Sequence, residues 1–465
     1  MNRKPNNFGR DASHVFYRKL NQALPRIVRG EGVYLFDESG KRYLDACGGA
    51  MVCNIGHGVP EIADAIAGQS RKISYVNGTA FTNEPVEELA DFLASKLPTG
   101  LDRSYFLSSG SEATEAALKL ARQYHVERGE PGRRIVIAQT PGYHGNTLLA
   151  LSASARGHYR AMFGPWLTDV IMIDAPYPYR NASRLDGSAL ETAIRNVGAE
   201  NVAAFIAEPI GGSSTGASIP SPEYFGRVRE ICDRHGVLFI CDEVLTGAGR
   251  TGTFFALEHF RHANGAAIAP DIITMGKGLN GGYAPLSAMI ASQSIVETIA
   301  AGSGSFMHAQ TYSHNPLAAA AGLAVQRYIE RHNLLERASK VGEQLGSALR
   351  ELVSEGSDSG ADLIGDVRGI GMLWAVELVA DRETKRPFAR ELKLAEALVA
   401  NARERGLVLW ANVGHADGKN GDLVMVAPPF TIEPEQIEEL ANSLRASLCD
   451  TAEQLLTSKL QGERE

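Results

Sequence analysis

The chain predicts an α/β protein: a large domain with a mostly parallel sheet flanked by helices, and a smaller α+β domain. Three observations carry this. From about residue 100 to 290, short apolar runs alternate with longer stretches of helical spacing. Those runs are continuous and β-rich rather than alternating, as strands buried on both faces require. After about residue 336 the order changes to strand, helix, strand pair and helix. With 465 residues, 44% hydrophobic and 22% charged, the chain has ordinary soluble composition and length for two or three domains. The expected division is 1–70, an N-terminal segment of the small domain; 71–335, the large domain; and 336–465, the C-terminal small domain.

Taken in order, "GVYLFDESGKRYLDA" (32–46) reads as a hairpin turning at Ser39-Gly40 and is assigned to the small unit. "FLSSGSEATEAALKLARQYH" (106–125) is a strand end, a glycine turn and a helix. Ser109-x-x-Glu112 fits a capping box, and Ala113, Ala116, Ala117, Leu120 and Tyr124 form its apolar stripe. Six further strands are expected at 133–139, 170–174, 202–207, 237–241, 271–275 and 285–290. A break at 355–362 precedes "VRGIGMLWAVELV", read as one strand. A helix near 390–405, a strand pair near 407–427 and a final helix complete the small unit.

Composition narrows the function classes. A net charge of −8 argues against a general nucleic-acid binder. The five cysteines are odd in number and none forms C-x-x-C, so neither a disulfide framework nor a zinc site is expected, and a reducing cytoplasm fits. "MNRKPNNFGRDASH" has no apolar core of a signal, and no run of 18 apolar residues occurs. Secretion and membrane spanning are disfavoured.

In open α/β sheets, ligands sit beyond the carboxyl ends of the strands. Glu208 follows the strand at 202–207, Asp242-Glu243 the strand at 237–241, and Gly276-Lys277 the strand at 271–275. Two carboxylates and an amine on one rim are harder to dismiss than any one of them. Lys277 alone has three readings: a solvated loop lysine, a phosphate-binding lysine, or a lysine that condenses with a carbonyl. The P-loop spacing G-x-x-x-x-G-K-[ST] is absent. The helix start at Ser109-Gly110-Ser111 can receive a phosphate through free N–H groups, although any capped helix looks alike. Tyr143, in "PGYHGNT", can stack on a flat ring, with Val244 on the opposite face. One cofactor matches these parts. Pyridoxal 5′-phosphate has an aldehyde, a ring nitrogen, a flat ring and a phosphate.

The stretches "SGSEATEAALKLAR", "GYHG", "AEPI", "DEVLTGAGRTG", "DIITMGKGLNGGYAPLSA" and "TYSHNPLAAAAG" occur in one order over roughly 30 to 440. In these the chain resembles the class III pyridoxal-phosphate aminotransferases, the ω-aminotransferase branch of fold type I. The resemblance implies that Lys277 carries the cofactor covalently and that Asp242 pairs with the ring nitrogen. It implies that Tyr143 and Val244 sandwich the ring, and that Ser109, Gly110 and Ser111 hold the phosphate. His144 and Glu208 come close to the cofactor. Thr311 reaches the phosphate from a neighbouring subunit, in a homodimer or dimer of dimers. The implied reaction is a ping-pong amino transfer in which Lys277 moves the proton. A pyridoxal-phosphate aminomutase or a decarboxylating transaminase would use the same parts.

Three other matches are weaker. Gly212-Ser213-Ser214-Thr215-Gly216 satisfies G-x-S-x-G, but Glu208-Pro209 and two glycines separate it from the strand, so a mobile loop is expected rather than a nucleophile elbow. His259 and His262 lack a third metal ligand. A regulator built on this fold would need an attached DNA-binding domain, for which some thirty residues before the hairpin are too few.

The substrate end departs from the family pattern. Many ω-aminotransferases place a mobile arginine shortly before the "PP" turn. Here no arginine lies between Gly406 and Phe430, and Trp410, Ala411 or Asn412 stands there. Lys419, His415 and Arg156 are alternative partners for a carboxylate, and Tyr17, Phe81, Trp166 and Trp410 are candidates for an aromatic pocket. The expected donor is a primary amine or a β- or ω-amino acid, and the expected acceptor pyruvate or 2-oxoglutarate.

Overall fold

The computed structural model describes residues 13–20, 22, 24–181, 186–354 and 360–462. Residues 1–12 of the leading stretch and 355–359 of the expected break lie outside the described residues.

Fifteen strands occur among the described residues. They are β1 (Ile27–Glu31), β2 (Tyr34–Asp37), β3 (Arg42–Asp45), β4 (Leu101–Leu107) and β5 (Ile135–Thr140). β6 (Ile171–Asp174), β7 (Val202–Ala207), β8 (Leu238–Glu243), β9 (Ile272–Met275) and β10 (Ser287–Ser292) follow. The last are β11 (Ile364–Ile370), β12 (Leu373–Leu378), β13 (Leu407–Val408), β14 (Trp410–Val413) and β15 (Asp422–Val426).

The central sheet has seven strands in the order β4-β10-β9-β8-β7-β5-β6. β5, β6, β7, β8 and β9 pair in parallel, and β10 runs antiparallel to both β4 and β9. Its strands divide their side chains between two apolar layers because successive residues point to opposite faces. Phe205, Phe239, Cys241 and Ile273 pack on one side. Ala204, Ile206, Ile240 and Ile272 pack on the other, beneath the helix Gly110–Glu127. This is the fold class the sequence predicts.

The N-terminal hairpin β2–β3 is joined in parallel by β13, through Leu44 with Leu407 and Asp45 with Val408. A third sheet, β11-β12-β15-β14, forms the C-terminal unit with the helices Leu334–Glu351, Leu394–Glu404 and Pro434–Gly462. Two expectations are corrected here. "VRGIGMLWAVELV" is not one strand but the antiparallel pair β11–β12, which turns at Gly371 in the left-handed region (φ +57). The strands near 407–427 do not form one pair: β13 leaves for the N-terminal sheet, and β14 pairs with β15. Among the described residues, no helix is long and apolar enough to cross a membrane.

Candidate active site

The carboxyl ends of β5, β7, β8 and β9 open into a cavity of about 270 Å³. Lys277, Asp242, Glu208, Tyr143, His144, Val244, Gly110, Ser111 and Trp410 line it, all singled out in the sequence.

Lys277 follows β9 and opens a short 3₁₀ turn, Lys277–Leu279. Its backbone is in the left-handed region (φ 43), which L side chains rarely adopt and which marks a position held by its surroundings. The flanking glycines have a steric cause. A Cβ at Gly276 would lie 3.2 Å from Val244 Cγ1, and one at Gly278 would lie 3.0 Å from Asn54 Nδ2. Among the described residues, the Lys277 amine has no ion-pair partner within 4 Å. Burial pushes its pKa down, against the opposing charges of Asp242 and Glu208.

Asp242 and Glu243 are adjacent on β8 and face opposite ways. Asp242 points into the cavity, 4% exposed. Its Oδ1 accepts from Val244 N (3.0 Å) and Thr274 Oγ1 (3.1 Å). Its Oδ2 accepts from His144 Nδ1 at 2.6 Å. Burial disfavours a charged His144, but the hydrogen bond and charge of Asp242 hold its pKa above the usual value. Glu243 turns away to accept from Ala256 N, Leu257 N and Thr246 Oγ1, and burial raises its pKa to about 7. Period-two geometry thus separates a site carboxylate from a structural one.

Glu208 follows β7. It accepts from Gly212 N (3.0 Å), Ser214 Oγ (2.9 Å) and Tyr143 N (3.3 Å), and burial pushes its pKa up. The Gly212–Gly216 segment is therefore not the mobile loop expected. Ser213, Ser214 and Thr215 are buried, and the segment anchors Glu208.

The helix Gly110–Glu127 starts at the cavity. The capping box forms as expected: Ser109 Oγ accepts from Glu112 N, while Glu112 Oε2 accepts from Ser108 N and Ser109 N, each 2.9 Å. Ser109 caps the helix from an exposed position and does not line the cavity, so Gly110 and Ser111 form that wall. A Cβ at Gly110 would stand 2.6 Å from Val244 Cγ1.

Several expected residues lie elsewhere in the single chain. Tyr17, Phe81 and Trp166 are exposed and do not line the cavity; Trp410 alone of that group does. Their positions lie far apart in sequence and on surfaces that one chain leaves uncovered. Thr311 is also exposed and outside the cavity. Lys419 pairs with Glu391 at the surface (2.8 Å), and His415 is buried 3.1 Å from Glu377, so neither reaches the cavity. Arg156 does. His259 packs on Thr253 Oγ1 and the Thr251 carbonyl, and no group of three or more metal-ligating side chains occurs among the described residues.

Sequence reasoning missed Arg18, Ala50, Met51, Tyr159 and Leu245 as lining residues. Arg18 donates to the Tyr159 hydroxyl across 141 positions, a contact with no local signature.

The residues present fit pyridoxal phosphate. An amine, a buried carboxylate for a ring nitrogen and an N-terminal helix turn for a phosphate meet in one cavity. The close contact between Gly110 and Val244 leaves no room there for a Cβ, and His144 Nε2 is buried without a hydrogen-bond partner among the described residues. Fold and site define a pyridoxal-phosphate-dependent transferase of fold type I.

The chain belongs to the class III aminotransferases, whose family profile matches residues 16–448. It is 40% identical over 436 residues to the uncharacterized aminotransferase YodT of Bacillus subtilis, covering 92% of this chain and 96% of YodT. It is 34% identical over 450 residues to the putrescine–pyruvate aminotransferase of Pseudomonas aeruginosa, covering 95% of this chain and 94% of that protein. An amine transaminase from an uncultivated Pseudomonas species, solved with PLP bound, superposes with a TM-score of 0.84 at 33% identity, covering 95% of this chain and 100% of that one. The protein is thus an enzyme that transfers amino groups.

Proposed function

We propose that the amino donor carries its amine away from a free α-carboxylate, as a primary amine or a β- or ω-amino acid. The acceptor is pyruvate or 2-oxoglutarate, and the two bind in turn. One observation supports this reading most: β14 offers the Trp410 side chain to the cavity and no arginine. The name of the Pseudomonas aeruginosa relative, which pairs a diamine with pyruvate, points the same way.

When bound, pyridoxal phosphate supplies a ring that accepts electrons from the substrate carbon. Lys277 would take the proton from the substrate carbon and deliver it to the cofactor's aldehyde carbon, and the burial that lowers its pKa favours the neutral amine a base requires. Asp242 holds a proton on the ring nitrogen, and its hydrogen bond from His144 fixes its orientation. Tyr143 and Val244, on the cavity wall, would hold the ring between them. The N–H groups at Gly110 and the Ser111 hydroxyl receive the phosphate. Glu208, held by three donors, sits on the substrate side.

The active assembly in this reading is a homodimer or a dimer of dimers. Thr311 and the exposed Tyr17, Phe81 and Trp166 then meet the partner, with Thr311 directed at the partner's phosphate site. The large unit spans about 71–335, with 1–70 and 336–465 forming the small unit. The buried free thiols of Cys47, Cys53, Cys232 and Cys241 suit a reducing cytoplasm.

A donor panel tests the reading. Primary amines, β- and ω-amino acids and ordinary α-amino acids are each offered with pyruvate and with 2-oxoglutarate. Turnover should favour the first two classes. Strict preference for α-amino donors would overturn it.

A further inference from the structure

Arg156 lies between the helices Leu148–Ser152 and Gly157–Phe163 and lines the Lys277 cavity. Its guanidinium bridges the two structural units. Nη1 donates to Asn412 Oδ1 on β14 (3.0 Å), and Nη2 donates to Ser213 Oγ in the segment after β7 (2.8 Å). Its Cζ sits 4.6 Å from the centroid of the Tyr143 ring. Both acceptors are neutral. No described carboxylate lies within 4 Å of this cation, and its Nε is buried without a hydrogen-bond partner among the described residues. Trp410 lines the same cavity, and its Nε1 is likewise buried with no acceptor among the described residues.

A half-buried guanidinium with no carboxylate in contact is costly, and an unmet buried donor adds to that cost. An anion with two acceptor atoms, bound in the cavity that both residues line, would supply the missing counter-charge. A planar carboxylate matches the fork of an arginine. A phosphate would match it too, but the helix start at Gly110 already supplies a phosphate site on another wall. Lys419 and His415 have carboxylate partners of their own, and Arg18, the other arginine on the cavity, is taken up by the Tyr159 hydroxyl.

We infer that Arg156, with the Trp410 indole N–H, is the carboxylate receptor of this active site. It holds the keto-acid acceptor, and the amino acid formed from it, in place of an arginine on β14. The inference rests on the transaminase reading above. Asn412 and Ser213 hold the guanidinium by two of its nitrogens and keep it facing the cavity. Because Asn412 belongs to the small unit, the receptor is completed only when the two units are docked.

The test uses the holoenzyme with a carboxylate-free primary amine as donor and pyruvate as acceptor, comparing wild type, Arg156→Met and Arg156→Lys. Propionate, a carboxylate that cannot react, is titrated by calorimetry. Arg156→Met should raise the KM for pyruvate on the order of 30-fold or more, with a much smaller change in the KM for the amine. Propionate binding should be lost. Arg156→Lys should fall between, since an ammonium keeps the charge but not the fork. If both KM values move together, or propionate binds Arg156→Met as it binds wild type, Arg156 is only a structural clamp and the proposal fails. If Arg156→Met does not fold, an unchanged KM for pyruvate in Arg156→Lys overturns it. If wild type transfers no amino group to any keto acid, the underlying reading fails, and the propionate titration still decides Arg156.

Discussion

In the proposed mechanism Lys277 and Asp242 divide the chemistry between an amine made less basic by burial and a carboxylate held by three donors. Replacing either should therefore fail differently. Lys277→Ala should abolish turnover and change the visible absorption of the bound cofactor, while the thermal midpoint stays near wild type. Asp242→Asn keeps the shape and loses the charge. It should lower kcat by roughly 10²- to 10⁴-fold, the usual size of a proton-transfer contribution, with a smaller loss of cofactor affinity. Equal turnover in wild type and Asp242→Asn would sink that assignment. Both residues were legible in the sequence because each closes a β-rich run. Arg18 was not, nor was the pairing of Asn412 with Arg156: the partners in both contacts are set by long-range packing.

At the scale of elements, the approach of β8 to the helix start matters most. Gly110 and Val244 are in contact range, so a methyl at position 110 must displace the valine or the helix turn. Gly110→Ala should weaken cofactor binding at least tenfold in an equilibrium titration, with the apoenzyme's thermal midpoint nearly unchanged. Unaltered affinity would show that Val244 yields freely. The capping box at Ser109 and Glu112 could be read from spacing, because both partners lie within one turn. The β11–β12 turn is marked by Gly369 and Gly371 but was missed because the apolar run resumes directly after them and reads as one strand. Gly212–Gly216 looked mobile by composition, yet its side chains and backbone are taken up by Glu208, Arg156 and Arg368, none of them local except Glu208.

Across the whole molecule, a buried charge cluster ties the segment after β6 to the C-terminal sheet. Glu377 on β12 is fully buried. It accepts from Tyr177 OH (2.6 Å) and Arg180 Nε (2.7 Å), pairs with Arg368 Nη2 (2.7 Å), and lies 3.1 Å from His415 Nε2. Burial alone would raise its pKa, but His415 and the two arginines hold it well below the usual carboxylate range. A carboxylate depressed in the folded state stabilises fully above its unfolded value, near ~4.3, and loses that contribution as pH falls toward the folded value. Glu377→Gln should destabilise the protein by about 3–5 kcal/mol at neutral pH, since it leaves buried cations unpaired. Its stability should also fall less steeply than wild type below about pH 4. Parallel acid limbs in chemical denaturation would contradict this. Sedimentation offers a check on assembly: a fully active monomer would exclude a phosphate site completed by Thr311 of a second chain.

The sequence by itself determined the layered α/β fold and the identity of the chemistry. Continuous β-rich runs, a capped helix and residues at strand ends are local patterns, and local patterns survive without coordinates. Only the tertiary structure decided which neighbours become site and which become scaffold. Asp242 and Glu243 part because a strand has two faces. Arg156 enters the cavity and Lys419 does not, because a side chain's partners are chosen by folding across hundreds of positions rather than by spacing along the chain.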